Sequence, residues 1–442
     1  MAAFSSATLP PDSAIRLASA LHCYALPRVE DSSRTSYQRA FKTSGKHAKT
    51  SALLRKLDET RVSLCCALTG AKGKIDGGIA ANAADEYLPC IRQLLLSCEV
   101  QPDGAMLDEK LEFCWQSSLE KPKSRKSEAL MFEVGMAVAT KAAGHVSKGV
   151  DKSVDGEFDV ACNQFRIAAG VMDHLANVHL PQWISLGSSV QLIDLPSEVV
   201  APCCEGFRSL YLAHAQQMAI AKHMQGAKVN YSILSKLCLG CSEMFEYFVS
   251  HLRINASTHY CRLETPFLEY LVFQVNMQKG LSSYFAARNV WAKNDYGLAI
   301  CMLMEAQKSM STRSSNTSPG IPDIDTRSSL RGIVGDLNDL RAHISQLTTR
   351  WKKDNDSIYF AKVPGSVKEE AKLVSGTQMM KVVVYTFDKE IEPVVLGVEE
   401  SGGGGGGGGG ASAPPPPTAP VVMSDEELAK ELQAKLNAGE DI

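Results

Sequence analysis

The chain has 442 residues, with 46 Lys+Arg against 49 Asp+Glu and a formal net charge of −3. That balance excludes a globally basic nucleic-acid binder and a globally acidic disordered chain, while 45% hydrophobic residues suffice for a sizeable core. Aromatic residues make up only 7%, and Ala, Leu, Ser and Lys are frequent, a composition that leans toward helix rather than sheet.

At the N-terminus, Met1 to Arg34 is Ser/Ala-rich and acid-poor, which suits a transit peptide in composition but lacks the basic and apolar regions of a secretory signal. Ala2 stands where myristoylation needs glycine, and the end Gly439-Glu440-Asp441-Ile442 has no prenylation cysteine. No apolar run approaches the ~18 residues that a bilayer span requires. The 13 cysteines, an odd number without a signal, read as free thiols in a reducing compartment. Cys238-Leu-Gly-Cys241 is a lone CxxC inside a helical pattern, so core packing is expected there and not metal.

Residues 1–50 form a polar, mixed N-terminal segment in which Pro10-Pro11 breaks any early helix. Helical periodicity dominates from Ser51 onward, beginning with the stripe Leu53, Leu54, Leu57, Val62, Leu64 and Leu68. Further helices are predicted over Ala84–Cys98, Ser127–Lys148, Phe158–Asn177, Val199–Met224, Tyr231–Leu252, Pro266–Lys293, Tyr296–Met310 and Ser329–Lys353. Long helices joined by short loops pair antiparallel and stack, so the fold class is mainly α, a helical solenoid without a strict TPR signature. Lys381–Phe387 and Ile391–Leu396 read as two short strands, giving a small β-hairpin or sheet element. A flexible tail follows: Gly402–Gly410 is a coil, 411–420 is proline-rich, and Ser424–Ala438 reads as an amphipathic helix. Ser424 and Glu427 form a capping box there, with Leu428, Leu432 and Leu436 on one face.

Catalytic signatures are missing: the chain has no HExxH, GxSxG or phosphate-binding GxxxxGK[ST]. Asp151–Gly156 opens like a calcium loop, but its twelfth position is Cys162 where a bidentate Glu is needed. His214, His223 and His251 fall on predicted helices, where core or groove polarity is the expected role. No enzyme, cofactor or metal is expected.

Four segments in order resemble the BRO domain of ALIX-type endosomal-sorting proteins. Leu111–Leu119 with Glu128–Val134 is similar to the family's F-x-W-x-x-S-L turn and following helix, through Phe113, Trp115, Ser118 and Leu119. Ala161–Leu175 is similar to its A-x-x-F-x-x-A-A-G-x-F-x-x-L helix, with Met172 in place of Phe. Leu210–Gln216 resembles L-x-L-A-Q-A-Q, and Ile358-Tyr359 with Val363-Pro364 resembles I-Y-x-x-x-V-P. The likeness covers roughly 50–397, so a BRO domain is assigned to 51–397, followed by a linker over 398–423 and the tail helix over 424–438.

The resemblance implies that the solenoid is curved and TPR-like. It implies a cytoplasmic adaptor, peripheral at endosomes, that serves ESCRT-dependent multivesicular-body sorting without chemistry. It also implies a hydrophobic patch that receives the C-terminal helix of an ESCRT-III filament subunit, for which Leu210, Leu212 and Met218 are the candidates. Helix-in-groove recognition of this kind needs packed helices that expose an apolar strip. The alternative is a TPR-like interaction scaffold outside that pathway. In the tail, Pro417-Thr418-Ala419-Pro420 is a P-[ST]-A-P motif, the extended peptide that an ESCRT-I UEV domain accepts. Arg39, Lys42, Lys46 and Lys49 lie in a run without acids from Arg34 to Lys56, a candidate contact for anionic membrane. No aromatics interleave with the basic clusters in a stacking pattern, which argues against nucleic acid.

Overall fold

Helix formation follows the caps and apolar stripes of the sequence. α1 spans Asp12–Ala18 and starts directly after Pro11, which corrects the expectation that Pro10-Pro11 breaks any early helix: proline at the N-cap interrupts no helical hydrogen bond. α2 is Tyr37–Ala40 and α3 is Ala48–Thr69. α4, Gly77–Val100, begins where the Asp76 carboxylate accepts the Gly78 and Ile79 amides. α5 is Leu130–Val154, α6 Phe158–His174, α7 Leu180–Ser185 and α8 Ala201–Met224. α9, Tyr231–Asn255, is capped by Asn230, and α10 is Ser257–Tyr260. α11 is Thr265–Trp291, α12 is Tyr296–Met310 with its Asp295 cap, and α13 is Val334–Asp354. The computed structural model describes residues 9–29, 35–69, 76–121, 123–185, 194–313, 320–324, 330–367, 375–387 and 391–397, all within one unit.

Each long helix packs on the next in chain order, α3 on α4, α5, α6, α8, α9, α11, α12 and α13, which makes a mainly helical solenoid. The first predicted stripe is buried in α3, except Val62, which is 54% exposed. The N-terminal segment shares this core: Leu17 and Ala18 of α1, with Tyr37 and Phe41, are buried in it.

The small sheet is present but lies elsewhere than the sequence suggested. β1 (Arg28–Val29), β2 (Phe113–Gln116) and β3 (Ser124–Ser127) form one antiparallel sheet in the order β1-β2-β3, with Val29 opposite Trp115 and Trp115 opposite Arg125. Lys381–Phe387 and Ile391–Leu396 are extended but form no strand. Their β-branched residues suit extended backbone, and their partners are helices rather than strands: the Val383 amide donates to the Arg166 carbonyl.

One carboxylate joins the sheet to the first helices. Glu133, near the start of α5, is 0% exposed. Its Oε2 accepts the Trp115 indole N–H at 2.6 Å, and its Oε1 accepts from Arg61 Nε of α3 at 2.9 Å and from the Tyr87 hydroxyl of α4 at 3.1 Å. Tyr37 in turn bonds the Tyr87 hydroxyl. Burial alone would lower the Arg61 guanidinium pKa, but Glu133 together with Tyr87, Tyr37 and Cys65 outweighs this and raises it. Glu133→Ala is expected to destabilise the fold by about 3–5 kcal/mol, because it leaves Arg61 buried without its counter-charge. Urea denaturation of the variant against the parent chain measures this.

Candidate functional site

After α13 the chain returns along the helices as an extended strap, 375–387 and 391–397. The Thr377 amide donates to the Lys236 carbonyl of α9, and the Gly397 amide to the Ser44 carbonyl beside α2. Gln216 of α8 clamps the strap: its amide N donates to the Leu237 and Thr377 carbonyls at 2.7 and 2.8 Å, and its Oε1 accepts the Met379 amide at 3.0 Å. Glycines open the helices for this passage. A Cβ at Gly240 would fall on the Thr377 backbone, and one at Gly170 on the Val383 carbonyl. At its far end, the Arg92 guanidinium lies 3.5 Å from the Phe387 ring centre, and His174 packs edge-on against Tyr385 and Phe387.

Packing of α8 on α6 and α9, and of α9 on α11, sets which sides of α8 and α9 face outward. Leu210 and Met218 are fully buried, which corrects the expectation that they line a partner groove: their positions on α8 turn them into the core. Leu212 lies four residues before Gln216 on the same helical face and is half-buried. Tyr211 and Phe207, which flank these residues in sequence, are buried as a stacked pair with ring centres 6.3 Å apart. On α9, Ile233 is 43% exposed, and Met379 of the strap is 57% exposed. Leu212, Ile233 and Met379 are therefore among the apolar side chains at this face, as is Val384 of the strap at 78% exposure. Ile233 and Met379 escaped the sequence reading, although Ile233 sits three residues beyond the Asn230 cap and next to the buried Leu234. A second groove, with a volume of 540 Å³, lies between α9 and α11 and is lined by Val249, Ile254, Leu271, Val272 and Val275.

The recognition motifs serve the architecture. Phe113 and Trp115 are buried, and Ser117 and Ser118 donate to Glu198 at 2.7 to 2.9 Å. Cys238 and Cys241 are buried, and the Cys241 thiol points at the Ala213 carbonyl. His214 is likewise a core residue, with Nε2 at 2.6 Å from the Tyr24 hydroxyl and Nδ1 at 2.8 Å from Gln217 Oε1. Burial lowers its pKa to about 4. The unfolded chain then takes up a proton at this residue below about pH 6.5 that the folded chain refuses. Stability present above that pH is lost as pH falls toward 4, by on the order of 3 kcal/mol from this residue. His214→Gln is expected to flatten the fall between those pH values, as read by melting temperature across a pH series.

Lys42, Lys46 and Lys49 are exposed, as is Arg39. The fold brings acids to them that the local sequence lacks. Glu109 lies 3.8 Å from Arg39, and the Asp108 carboxylate accepts the Thr43 hydroxyl and amide. These bonds to Thr43, with Lys42 and Lys46 nearby, hold the Asp108 pKa below its ordinary value. The tail motif Pro417–Pro420 and the predicted helix Ser424–Ala438 lie outside the described residues.

A family model described as the BRO1-like domain matches residues 43–397. The chain is 22% identical over 279 residues to the pH-response regulator protein palA/RIM20 of Emericella nidulans, covering 62% of this chain and 30% of that protein. It thus spans less than a third of the length of this curated relative. Among solved structures, ALIX in complex with the SIVmac239 PYKEVTEDL late domain matches with a TM-score of 0.65 at 14% identity, covering 85% of this chain and 50% of that one. An ALIX BRO1 CHMP4C complex matches with a TM-score of 0.59 at 15% identity, covering 86% and 97%. A Bro1 domain described as a basis for endosomal targeting matches at 0.58 and 14% identity, covering 82% and 92%. At these identities the structural likeness is one of fold.

Proposed function

The chain belongs to the BRO1-like domain family, and we propose that it is a non-enzymatic adaptor of ESCRT-dependent endosomal sorting. The reading is that its strap face receives the C-terminal amphipathic helix of an ESCRT-III subunit. The observation that carries it is the apolar strip of Leu212, Ile233 and Met379 left at the surface beside the clamped strap. A helical ligand with apolar residues on one face buries them on such a strip, while the packed helices beneath do not reorganise. The family's complex with CHMP4C supports the choice of ligand, since that ALIX domain and this chain share a fold.

Leu212→Asp and Ile233→Asp are expected to weaken binding of an ESCRT-III C-terminal helix by about 2 kcal/mol or more, with the helical circular dichroism of the body retained. Titration of a labelled peptide measures the loss, and normal affinity in both folded variants would remove the strap face from the reading. Leu210→Asp, in contrast, places a charge in the core and should unfold the chain.

The tail extends the proposal to ESCRT-I. Pro417-Thr418-Ala419-Pro420 offers a UEV domain an extended peptide of low conformational entropy. Pro417→Ala with Pro420→Ala should abolish UEV binding without changing the melting temperature, by calorimetric titration of both proteins. Arg39, Lys42, Lys46 and Lys49 complete the proposal as a membrane contact, tempered by Asp108 and Glu109. Charge reversal at Lys42, Lys46 and Lys49 should remove a salt-sensitive fraction of vesicle binding, since exposed charges are screened over ~10 Å at 0.1 M salt.

A further inference from the structure

The turn that ends α13 holds three successive exposed side chains, two of them aromatic. Ile358 is 63% exposed, Tyr359 39% and Phe360 75%, and Val363 just beyond is 37% exposed. Phe360 also has φ of 51°, a left-handed conformation that a bulky side chain rarely adopts. The turn is over-determined from beneath. The Phe360 amide closes a wide turn onto the Asn355 carbonyl at 2.7 Å, and the buried Asn355 side chain exchanges two hydrogen bonds of 2.9 Å with the Ala361 backbone. Tyr359 stacks on Tyr296 with ring centres 3.6 Å apart, and Trp291 stacks on Trp351 at 4.1 Å. A rigid aromatic base thus holds a strained backbone whose result is to present a phenyl ring to solvent, and strain of this kind gathers at ligand contacts.

The charge around the turn selects the ligand. Lys352, Lys353 and Lys362 are exposed within ten residues of Phe360, and Lys293 lies on the turn that carries Tyr296. Of the nearby acids, Asp354 lies 3.9 Å from Arg350 and Asp295 caps α12, while Asp356 is exposed. Exposed apolar and aromatic side chains with exposed lysines close by in the chain match a bilayer interface, where rings sit at the headgroup level and lysines meet anionic lipid.

We propose that the Ile358–Val363 turn is a membrane anchor that inserts Phe360 and Ile358 into the interface of an anionic bilayer. It follows the end of α13 and does not rest on the ESCRT-III reading.

Flotation of the full chain with phosphatidylcholine vesicles, with and without phosphatidylserine, tests the anchor. Phe360→Gly removes the ring and suits the left-handed backbone, so it should leave the melting temperature unchanged or raised while vesicle affinity falls by about tenfold. Ile358→Asp should lower affinity similarly. Because apolar insertion is not screened, the loss in both variants should persist in high salt, where charge reversal at Lys42, Lys46 and Lys49 has no effect. Phe360→Gly should also retain its affinity for an ESCRT-III helix, which keeps this test separate from the adaptor reading. The anchor is overturned if the parent chain fails to float with phosphatidylserine vesicles, which would leave the turn to a protein partner. It is equally overturned if both variants float as the parent does, or if Phe360→Gly lowers the melting temperature, which would make the ring a packing residue.

Discussion

The Glu133 carboxylate is the point on which the N-terminal half of the structure depends. It is buried, and its oxygens are satisfied because Arg61, Trp115 and Tyr87 all donate to them. Those donors come from α3, β2 and α4, and β2 is the central strand of the sheet. A hydrophobic contact in this place would tolerate sliding of one helix past another. A carboxylate with three directional partners does not, because any shift leaves a buried charge partly unpaired. The angle between the sheet and the first helices is thereby fixed, and with it the start of the helical array.

The strap performs the corresponding task at the other end of the chain. Helices stacked in one dimension contact only their neighbours, so the array by itself has little resistance to flexing between distant members. An extended segment hydrogen-bonded to α9, α8 and α6 and then to the region of Ser44 links members that would otherwise not touch. Its passage consumes the polar capacity of Gln216 and the space above Gly170 and Gly240. Among what remains at the surface beside it are the apolar side chains of Leu212, Ile233 and Met379, and this is where the helix-binding proposal places its ligand. The structural device and the proposed recognition face thus share the same residues on α8.

The first three family motifs are mostly buried, whereas Ile358, Tyr359 and Val363 of the fourth are exposed. Trp115, Phe165, His214 and Gln216 are all buried, and each is held by a hydrogen bond or a ring contact. They report the fold, whereas the exposed Ile233, Met379 and Phe360 differ from the motif positions or fall between them.

Identity, order and approximate limits of the long helices were legible in the sequence because an apolar residue every three or four positions leaves one solution for burying a helix, whereas short ones such as α1 were not. Tyr296–Met310 was predicted with both ends in place, since the Asp295 cap is a local signal. The side of α8 that faces solvent was not legible. Leu210, Leu212 and Met218 are all apolar, and only the packing of α8 between α6 and α9 separates the half-buried Leu212 from the two core residues. The extended segment 381–387 carries the β-branched signal of a strand, yet whether its amides meet a strand or a helix carbonyl depends on what lies beside it. Likewise the run from Arg39 to Lys49 is basic in sequence, but Asp108 and Glu109 temper it in space. Local periodicity and caps act within a few residues and can be read from the chain, while exposure, strand pairing and charge balance are set by contacts across hundreds of residues, which only the tertiary structure decides.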